Sequence, residues 1–386
     1  MLWTSPIFWH NPPMPSMPPC ATGFSANQLN FSAGPGALPE PVLKEAQEAI
    51  WALPETGVSV LGMSHRSDWF KALLEESERN LRELLAIPER YRVLFLQGGS
   101  SLQFSMIPMN FAGTAAPAAY VRSGYWSAKA IEEAGCVAPL HVAWDGSADG
   151  YRNLPASCAL EIDRAAPYVH YVSNETIEGL QFAASPFVHD VPVIADMSSD
   201  FLSRPIDFER HAMLYAHAQK NVGPAGVTIC VLDEALLSRI PEGLPPMLDY
   251  RTHIRHGSNY NTPPVFGIYV LNRVTRWMRD TIGGVPAMAE LNRAKADHLY
   301  RTLDNLDGVI ATHAARPYRS TMNASFRFRD ERLNARFLES ASSAGFVGLG
   351  GHRSLGGVRA SLYNAVSLAA VGHLSEFLTG FCTSHA

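Results

Sequence analysis

The chain has 386 residues, of which 47% are hydrophobic and 17% charged, so it can bury a large core and is not disordered as a whole. Its 31 Lys and Arg residues against 36 Asp and Glu residues give a net charge of −5 without long runs of one sign, which argues against a nucleic-acid or membrane-surface partner. Five widely spaced cysteines fit neither a zinc site nor a disulfide framework, and no apolar stretch reaches the roughly 20 residues of a membrane span, so a cytoplasmic protein is predicted.

The first 29 residues differ in composition from the rest of the chain. They are rich in Pro and Met and contain no Lys or Arg, which argues against a signal peptide and against an Arg-rich transit peptide. Because such a composition packs poorly, residues 1–29 are predicted to form a disordered tail.

Apolar runs alternating with helical patterns predict an α/β domain over residues 30–285. A helix is predicted over residues 67–87 from its apolar spacing. Strands are predicted over residues 92–97, 119–122, 168–172, 191–195, 213–216 and 227–232. This alternation is typical of a mostly parallel sheet covered by helices on both faces.

The pattern changes after Pro263, and a second, smaller α+β domain is predicted over residues 286–386. Its expected helices, together with one that precedes it, cover residues 265–278, 286–306, 334–344 and 368–379. Its expected strands cover residues 309–313, 322–328 and 358–362.

Lys220 lies in a Gly-rich turn between two of the predicted strands. Lysines normally keep their charge in water, but burial would lower the proton affinity of this amine. A neutral amine can then form a Schiff base with a carbonyl compound. Taken alone, the segment more often indicates a turn lysine with a solvated charge.

Asp196 stands at the carboxyl end of another predicted strand, 24 residues before Lys220. Open α/β sheets bind ligands in the crevice outside these strand ends. A carboxylate there can pair with the protonated ring nitrogen of pyridoxal phosphate, although an isolated Asp is more often a helix cap or turn former. The combination of Asp196 and Lys220 favours the cofactor.

Three further features follow predicted strands. Ser100 and Ser101 open a helix after two glycines, where backbone N–H groups favour an anion such as a phosphate. The spacing matches neither a P-loop nor a dinucleotide fingerprint, and an ordinary capped turn is the alternative. Trp126 could stack on a pyridine ring or be a core residue, and the Thr176 hydroxyl could bond the phenolic oxygen of the cofactor.

Seven ordered segments resemble the motifs of the phosphoserine aminotransferases, a class V family of fold-type I pyridoxal-phosphate enzymes. The resemblance covers about residues 30–381. It implies a large domain with a mostly parallel seven-stranded sheet and a smaller α+β domain, with residues 30–44 packing with the small domain. The segments are residues 30–35, 63–67, 168–176, 195–200, 218–226, 261–264 and 351–364.

The resemblance implies cofactor contacts residue by residue. Lys220 would carry pyridoxal phosphate covalently, Asp196 would pair with its ring nitrogen, Trp126 would stack on the ring and Thr176 would bond the phenolic oxygen. The phosphate would be held by two groups of residues, Ser100, Ser101 and Gln219 from one subunit, and Asn261 and Thr262 from the second subunit of a homodimer.

The resemblance also implies a set of substrate contacts. Arg66, with His65 beside it, would bind the carboxylates of both substrates, and Arg359 would clamp the α-carboxylate. His352 and Arg353 would meet the substrate phosphate. Arg is suited to bidentate contacts with both anions, although an isolated His-Arg pair is more often a surface feature.

The implied reaction moves the amino group of L-glutamate to 3-phosphohydroxypyruvate, giving O-phospho-L-serine and 2-oxoglutarate in serine biosynthesis. A second implied substrate is 3-hydroxy-2-oxo-4-phosphooxybutanoate of pyridoxine biosynthesis. The alternative within class V is a transaminase of the alanine–glyoxylate type. A cysteine desulfurase is disfavoured because Cys382 lies almost at the C-terminus, and a non-catalytic binding protein is disfavoured because Lys220 and Asp196 are both present.

Overall fold

The computed structural model describes residues 23–187 and 191–385. Its central feature is a seven-stranded sheet with the order β1-β9-β8-β7-β4-β2-β3. The strands of this sheet are β1 (Tyr91–Leu96), β2 (Ala118–Arg122), β3 (Leu140–Asp145), β4 (Val169–Val172), β7 (Val193–Asp196), β8 (Met213–His217) and β9 (Thr228–Asp233). A short hairpin of β5 (Asn174–Glu175) and β6 (Leu180–Gln181) follows β4.

The sheet is mostly parallel, as predicted. Only β9 is reversed, because it pairs antiparallel with both β1 and β8 while the other neighbouring strands pair in parallel. Alternate side chains of β1 enter different cores, Val93 and Phe95 on one face of the sheet and Leu94 and Leu96 on the other. This period-2 alternation explains why the strands are apolar throughout.

Helices cover both faces of the sheet and build most of the small domain. The long helix at residues 68–85 begins where Ser67 Oγ accepts a hydrogen bond from Phe70 N at 3.2 Å, and it ends at Ala86 in the left-handed region. The helices are α1 (Glu40–Trp51), α2 (Asp68–Leu85), α3 (Gly99–Phe111), α4 (Tyr125–Gly135), α5 (Tyr250–Arg255), α6 (Val265–Trp277), α7 (Val285–Asn305), α8 (Arg332–Ser343) and α9 (Leu368–Ser384).

The small domain contains an antiparallel sheet of β10 (Ile310–Thr312), β11 (Asn323–Phe328) and β12 (Val358–Ser361). Its hydrophobic core also contains Leu29, Phe31 and Ala37 from the start of the folded chain. The N-terminal segment thus packs with the C-terminal part of the chain. The exact domain boundary at residues 285/286 stays a prediction.

The predicted tail of residues 1–29 falls into two parts. Residues 1–22, which include Cys20, lie outside the described residues. Residues 23–29 are described, and here the Phe24 ring stacks on His373 with a centroid distance of 5.5 Å while Leu29 is fully buried. The prediction of a disordered tail is therefore wrong for residues 23–29.

Six elements are absent from the sequence-based prediction, namely β3, β5, β6, α1, α4 and α5. Strand β3 is the edge strand beyond β2, and most of its residues are half-buried or exposed. It consequently lacks the continuous apolar run that identified the buried strands. Among the residues described by the structure, no helix combines the length and apolar character needed to cross a membrane.

Candidate active site

The predicted cofactor residues other than Asn261 and Thr262 meet at one edge of the large sheet. Because β9 runs antiparallel to its neighbours β1 and β8, the strands β1, β2, β4, β7 and β8 all end at this edge. Ser100 follows β1, Trp126 follows β2, Asp196 ends β7 and Lys220 follows β8. Open α/β sheets place their ligand crevice at this edge, and a cavity of about 400 Å³ lies here.

Lys220 is a buried lysine with its amine inside this cavity. Only 6% of the residue is exposed, and Nζ donates a hydrogen bond to Thr176 Oγ1 at 2.7 Å. Nζ also lies 5.0 Å from the centroid of the Trp126 ring. Burial lowers the pKa of Lys220 to about 8, although the negative charge of Asp196 partly opposes this change. The solvated-turn interpretation of this lysine is therefore wrong.

Asp196 is a buried carboxylate on the wall of the same cavity. Its Oδ1 accepts hydrogen bonds from Ser198 N at 2.8 Å and from Ser198 Oγ at 2.5 Å, while no donor from the described residues reaches Oδ2. Burial raises the pKa of Asp196, whereas the Ser198 bonds and the Lys220 charge lower it. Asp196 Oδ2 can therefore accept a hydrogen bond from a protonated ring nitrogen.

The start of α3 forms a seat for an anion. Gly98 and Gly99 have φ values of +93° and +68°, a left-handed conformation that glycine adopts without strain, and they turn the chain from β1 into the helix. No side chain caps the helix, so the first N–H groups remain available to a ligand. Ser100, Ser101 and Gln219 line the same cavity.

Trp126 sits in the first turn of α4 and forms a wall of the cavity. Its Nε1 is buried and has no hydrogen-bond partner within residues 23–187 and 191–385. Its ring faces the amine of Lys220 rather than a hydrophobic core. An aromatic face in this position can stack on a planar ligand.

Several residues of the cavity were missed by the sequence analysis. Ser198 links the carboxylate of Asp196 to the anion seat, since its Oγ lies 2.7 Å from Ser100 Oγ. The buried Nε2 of His217 lacks a partner among the described residues, and burial lowers the pKa of this imidazole to about 3, so His217 is neutral. Asn174 and Ser199 also line the cavity. Ser198 follows Asp196 by two residues, and His217 precedes Lys220 by three. This proximity in sequence is the signal that could have identified them.

The structure does not bring Asn261, Thr262, His65 or Arg66 into the cavity of this single chain. These residues lie on two segments near the end of β1. The Thr262 carbonyl accepts a hydrogen bond from Gln97 Nε2 at 2.7 Å, and the His65 carbonyl accepts one from Asn259 Nδ2 at 2.9 Å. Both segments therefore lie next to the site while their side chains stay outside it.

His352, Arg353 and Arg359 of the C-terminal part of the chain do not line the cavity either, although the charge of Arg359 acts on Lys220. The His352 ring lies 4.8 Å from the Tyr125 ring, Arg353 is exposed, and Arg359 projects from β12. Arg359 forms no ion pair with a carboxylate of the described chain, and its buried Nε lacks a partner. Burial lowers the pKa of the Arg359 guanidinium, which nevertheless remains charged and available to an anion.

A mostly parallel sheet with a buried lysine and a buried aspartate at its carboxyl edge defines a fold-type I transferase. Residues 28–374 match the family described as aminotransferase class-V. A phosphoserine aminotransferase of Lysinibacillus sphaericus is 47% identical over 356 residues, which cover 92% of this chain and 98% of that protein. The chain belongs to the phosphoserine aminotransferase family of class V aminotransferases, as the sequence motifs predicted.

Solved structures of the same family have the same fold. The phosphoserine aminotransferase of Bacillus circulans subsp. alkalophilus is 44% identical, with a TM-score of 0.90 over 93% of this chain and 99% of that chain. The pyridoxal-phosphate-bound enzyme of Trichomonas vaginalis is 36% identical, with a TM-score of 0.85 over 91% of this chain and 99% of that chain.

Proposed function

We propose that this chain transfers the amino group of L-glutamate to 3-phosphohydroxypyruvate, giving O-phospho-L-serine and 2-oxoglutarate. The observation that carries the proposal is the buried amine of Lys220, which lies in a cavity with the Asp196 carboxylate at the carboxyl edge of the sheet. Membership of the phosphoserine aminotransferase family supports the choice of substrates. 3-Hydroxy-2-oxo-4-phosphooxybutanoate, which shares the phosphate and the keto acid, is proposed as a second substrate.

Pyridoxal phosphate fits the residues of the cavity. Lys220 supplies a buried amine, and Asp196 Oδ2 supplies a free acceptor for the ring nitrogen. The uncapped start of α3, with Ser100, Ser101 and Gln219, supplies donors for the phosphate. When bound, the cofactor supplies an electron sink that allows a bond at the substrate α-carbon to break.

The residues of the chain carry the proton transfers of the reaction. Nζ of Lys220 has a lowered pKa, so near neutral pH it can accept a proton from the substrate α-carbon and return one later. The hydrogen bond to Thr176 Oγ1 orients Nζ. Asp196 would accept a hydrogen bond at Oδ2 from the ring nitrogen of the bound cofactor and so favour the protonated form of that nitrogen.

The substrate anions meet cations from several segments. Arg359 binds the α-carboxylate, and its lack of a carboxylate partner within the described residues supports this role. His352 and Arg353 bind the substrate phosphate, and Arg66 with His65 beside it binds the carboxylates of both substrates. A transaminase of the alanine–glyoxylate type would not need the cations at residues 352 and 353, because its substrates carry no phosphate.

The active enzyme is proposed to be a homodimer with shared sites. Four apolar residues near the end of α1 and the segment after it are exposed in the single chain, and Trp51 reaches 89% exposure. A second subunit would cover such residues. Asn261 and Thr262 lie outside the cavity of their own chain, which supports a role in the cavity of the partner. The exposed apolar residues are Ile50, Trp51, Val58 and Leu61.

A cytoplasmic location is proposed as well. Cys136, Cys158, Cys230 and Cys382 are all free thiols. Free thiols in this number are typical of a reducing compartment.

A coupled assay tests the proposed reaction. Purified wild-type protein with pyridoxal phosphate is expected to turn over glutamate and 3-phosphohydroxypyruvate. The Lys220→Ala variant should be inactive, while its circular dichroism spectrum should match that of the wild type. Alanine with glyoxylate should give little turnover. Efficient turnover of alanine and glyoxylate without turnover of the phosphorylated substrate would instead establish the alternative class V activity.

The substrate phosphate is tested with Arg353→Leu. Removal of one charge-assisted contact costs about 1.5–3 kcal/mol, so kcat/KM for 3-phosphohydroxypyruvate should fall roughly tenfold to a hundredfold. The glutamate half-reaction should change much less, as single-turnover kinetics would show. Arg332→Leu is the matched control, because Arg332 is exposed and pairs only with Asp330. Equal losses in both half-reactions would assign Arg353 a structural role.

A further inference from the structure

Two buried carboxylates lie at the start of α4. Glu175 and Glu178 are only 1% and 5% exposed. Glu175 accepts hydrogen bonds from Trp126 N and Ser127 N, each at 3.0 Å, and Glu178 accepts one from Tyr125 N at 2.9 Å. The first N–H groups of a helix have no partner within the helix, so this pair satisfies three of them in sequence order.

The turn held by these carboxylates carries two aromatic side chains that face the active site. The Trp126 ring lies 5.0 Å from Lys220 Nζ, and the Tyr125 ring lies 4.8 Å from the His352 ring. The two aromatic rings contact each other edge to face at 5.3 Å. A shift of this turn would therefore move both the wall of the cofactor cavity and the support of His352.

The backbone at Gly124 packs directly against the carboxylate pair. A Cβ atom at this position would lie 2.6 Å from Glu175 Cδ and 2.7 Å from Glu178 Oε2. Real Cβ atoms do not approach other atoms this closely, so only glycine allows the turn to sit on the pair. The local sequence thus accommodates the two carboxylates at close range.

The two carboxylates have unequal surroundings. Glu175 accepts three hydrogen bonds, since Ser123 Oγ also donates to it at 3.2 Å. Glu178 accepts one, and its Oε2 is buried without a partner among the described residues. Hydrogen bonds favour the ionised form, whereas a buried charged oxygen without a donor is unfavourable.

We propose that Glu175 and Glu178 act together as positioning residues, with Glu175 ionised and Glu178 held as the neutral acid. The pair fixes the first turn of α4 and thereby sets Trp126 against the cofactor cavity and Tyr125 against His352. This inference rests on the proposed function, because it assumes that Trp126 contacts pyridoxal phosphate.

The charged groups around the pair favour one ionised and one neutral carboxyl. Burial raises the pKa of Glu178, the charge of Glu175 raises it further, and Arg359 of β12 opposes the change only weakly. Burial also raises the pKa of Glu175, but its hydrogen bonds to Ser127, Trp126 and Ser123 lower it. Glu178 also lines a second cavity of about 660 Å³, and the other titratable residues that line it are Arg122, Tyr125, Asp149, Tyr151, Arg152, His313 and Arg327.

The test compares Glu175→Gln and Glu178→Gln holoenzymes with the wild type. The readouts are the dissociation constant of pyridoxal phosphate, measured by its visible absorption from about pH 6 to pH 10, and the separate values of kcat and KM. Glu132→Gln is the matched control, because Glu132 lies on the exposed face of the same helix and pairs only with Lys129. This control should leave all values unchanged.

Glu175→Gln is expected to weaken cofactor binding about tenfold or more, since an amide cannot accept all the bonds of the carboxylate. Glu178→Gln should bind the cofactor as the wild type does at neutral pH, because an amide mimics the neutral acid. At alkaline pH the wild type should lose affinity as Glu178 ionises beside Glu175, and Glu178→Gln should not show this loss. Lys220 titrates in both proteins, so the difference between them isolates Glu178.

Two results would overturn the inference. One is an unchanged cofactor affinity in Glu175→Gln, and the other is a Glu178→Gln profile identical to that of the wild type over the whole pH range. If Glu175→Gln does not fold, the Ser123→Ala variant serves instead, because it removes one of the hydrogen bonds to Glu175. It should still weaken the binding of pyridoxal phosphate several-fold relative to the control. Failure of the wild type to bind pyridoxal phosphate would contradict the proposed function instead.

Discussion

The proton affinity of Lys220 results from opposing effects on a single amine. Removal from water favours the neutral form and lowers its pKa to about 8. The charge of Asp196 favours the ammonium and partly restores the pKa, whereas the positive charge of Arg359 lowers it further. The same amine can therefore be a nucleophile and a proton carrier near neutral pH.

The rate at which apoenzyme binds pyridoxal phosphate covalently should follow the neutral fraction of Lys220. The rate is expected to rise about tenfold per pH unit below about pH 8 and to level off above it, because the pKa is lowered to about 8. Stopped-flow absorption from about pH 6 to pH 10 measures this profile. In Asp196→Asn the inflection should move to lower pH, because the negative charge of Asp196, which raises the pKa of Lys220, is removed. An inflection near about 10.4, the value of a solvated lysine, would contradict the structure.

At the scale of elements, α7 and the end of β12 form a polar connection to the loop that carries Lys220. Lys295 of α7 is buried, and its Nζ donates to the carbonyls of Leu362 at 2.8 Å and Tyr363 at 2.9 Å. The next residue, Asn364, donates from its backbone N to Asn221 Oδ1 at 2.8 Å. The small domain is thus tied to the residue that follows Lys220.

Lys295→Met should lower the free energy of unfolding by about 1–3 kcal/mol, because two buried carbonyls lose a donor. Burial lowers the pKa of Lys295 to about 7 in the folded protein. The unfolded chain therefore binds more protons than the folded one between about pH 7 and pH 10.4, and this lysine makes stability rise with pH over that window. The variant should lose this part of the slope in denaturant titrations.

Arg293→Met is the control for Lys295→Met, because Arg293 lies on the same helix but is exposed. It should change stability by no more than about 0.5 kcal/mol. An equal loss in both variants would mean that the buried hydrogen bonds of Lys295 do not contribute.

The success of element prediction depended on burial. The strands that lie inside the sheet, such as β8 and β9, are apolar at nearly every position and were predicted within two residues. The edge strand β3 has one neighbouring strand and carries His141 and Asp145 at exposed positions, so its pattern resembles that of a loop.

At the scale of the whole molecule, the distribution of the predicted site residues supports the proposed homodimer. The cofactor residues converge within a single chain, but Asn261 and Thr262 remain outside its cavity. The exposed apolar residues around Trp51 provide a surface that a second copy would bury. The proposed dimer would then complete two cavities at once.

Mixed dimers test the shared site. Lys220→Ala protein and a protein with Asn261→Ala and Thr262→Ala should each be inactive or strongly impaired as pure dimers. After exchange of subunits, each mixed dimer should contain one intact site, so that activity rises toward about a quarter of the wild-type value at equal mixing. Native mass spectrometry would confirm the exchange. Confirmed exchange without a return of activity would exclude the contribution of residues 261 and 262 to the partner's site.

The sequence by itself was sufficient for the family and the sheet class, and it predicted which residues hold the cofactor, because these inferences depend on local patterns. Lys220, Asp196, Ser100 and Trp126 each follow or end a strand, and parallel strands end at a common edge. Strand ends alone thus predicted that these side chains would meet.

Only the tertiary structure decided how each of these groups is charged and held. Whether Lys220 is solvated or buried depends on packing between distant segments, and the structure brings it to Thr176, 44 residues away in sequence. Glu175 and Glu178 carried no recognisable signal, because their effect arises from contact with the start of α4, about 50 residues earlier in the chain. Hydrogen bonds and desolvation act over a few ångströms in space, and sequence separation does not encode that distance.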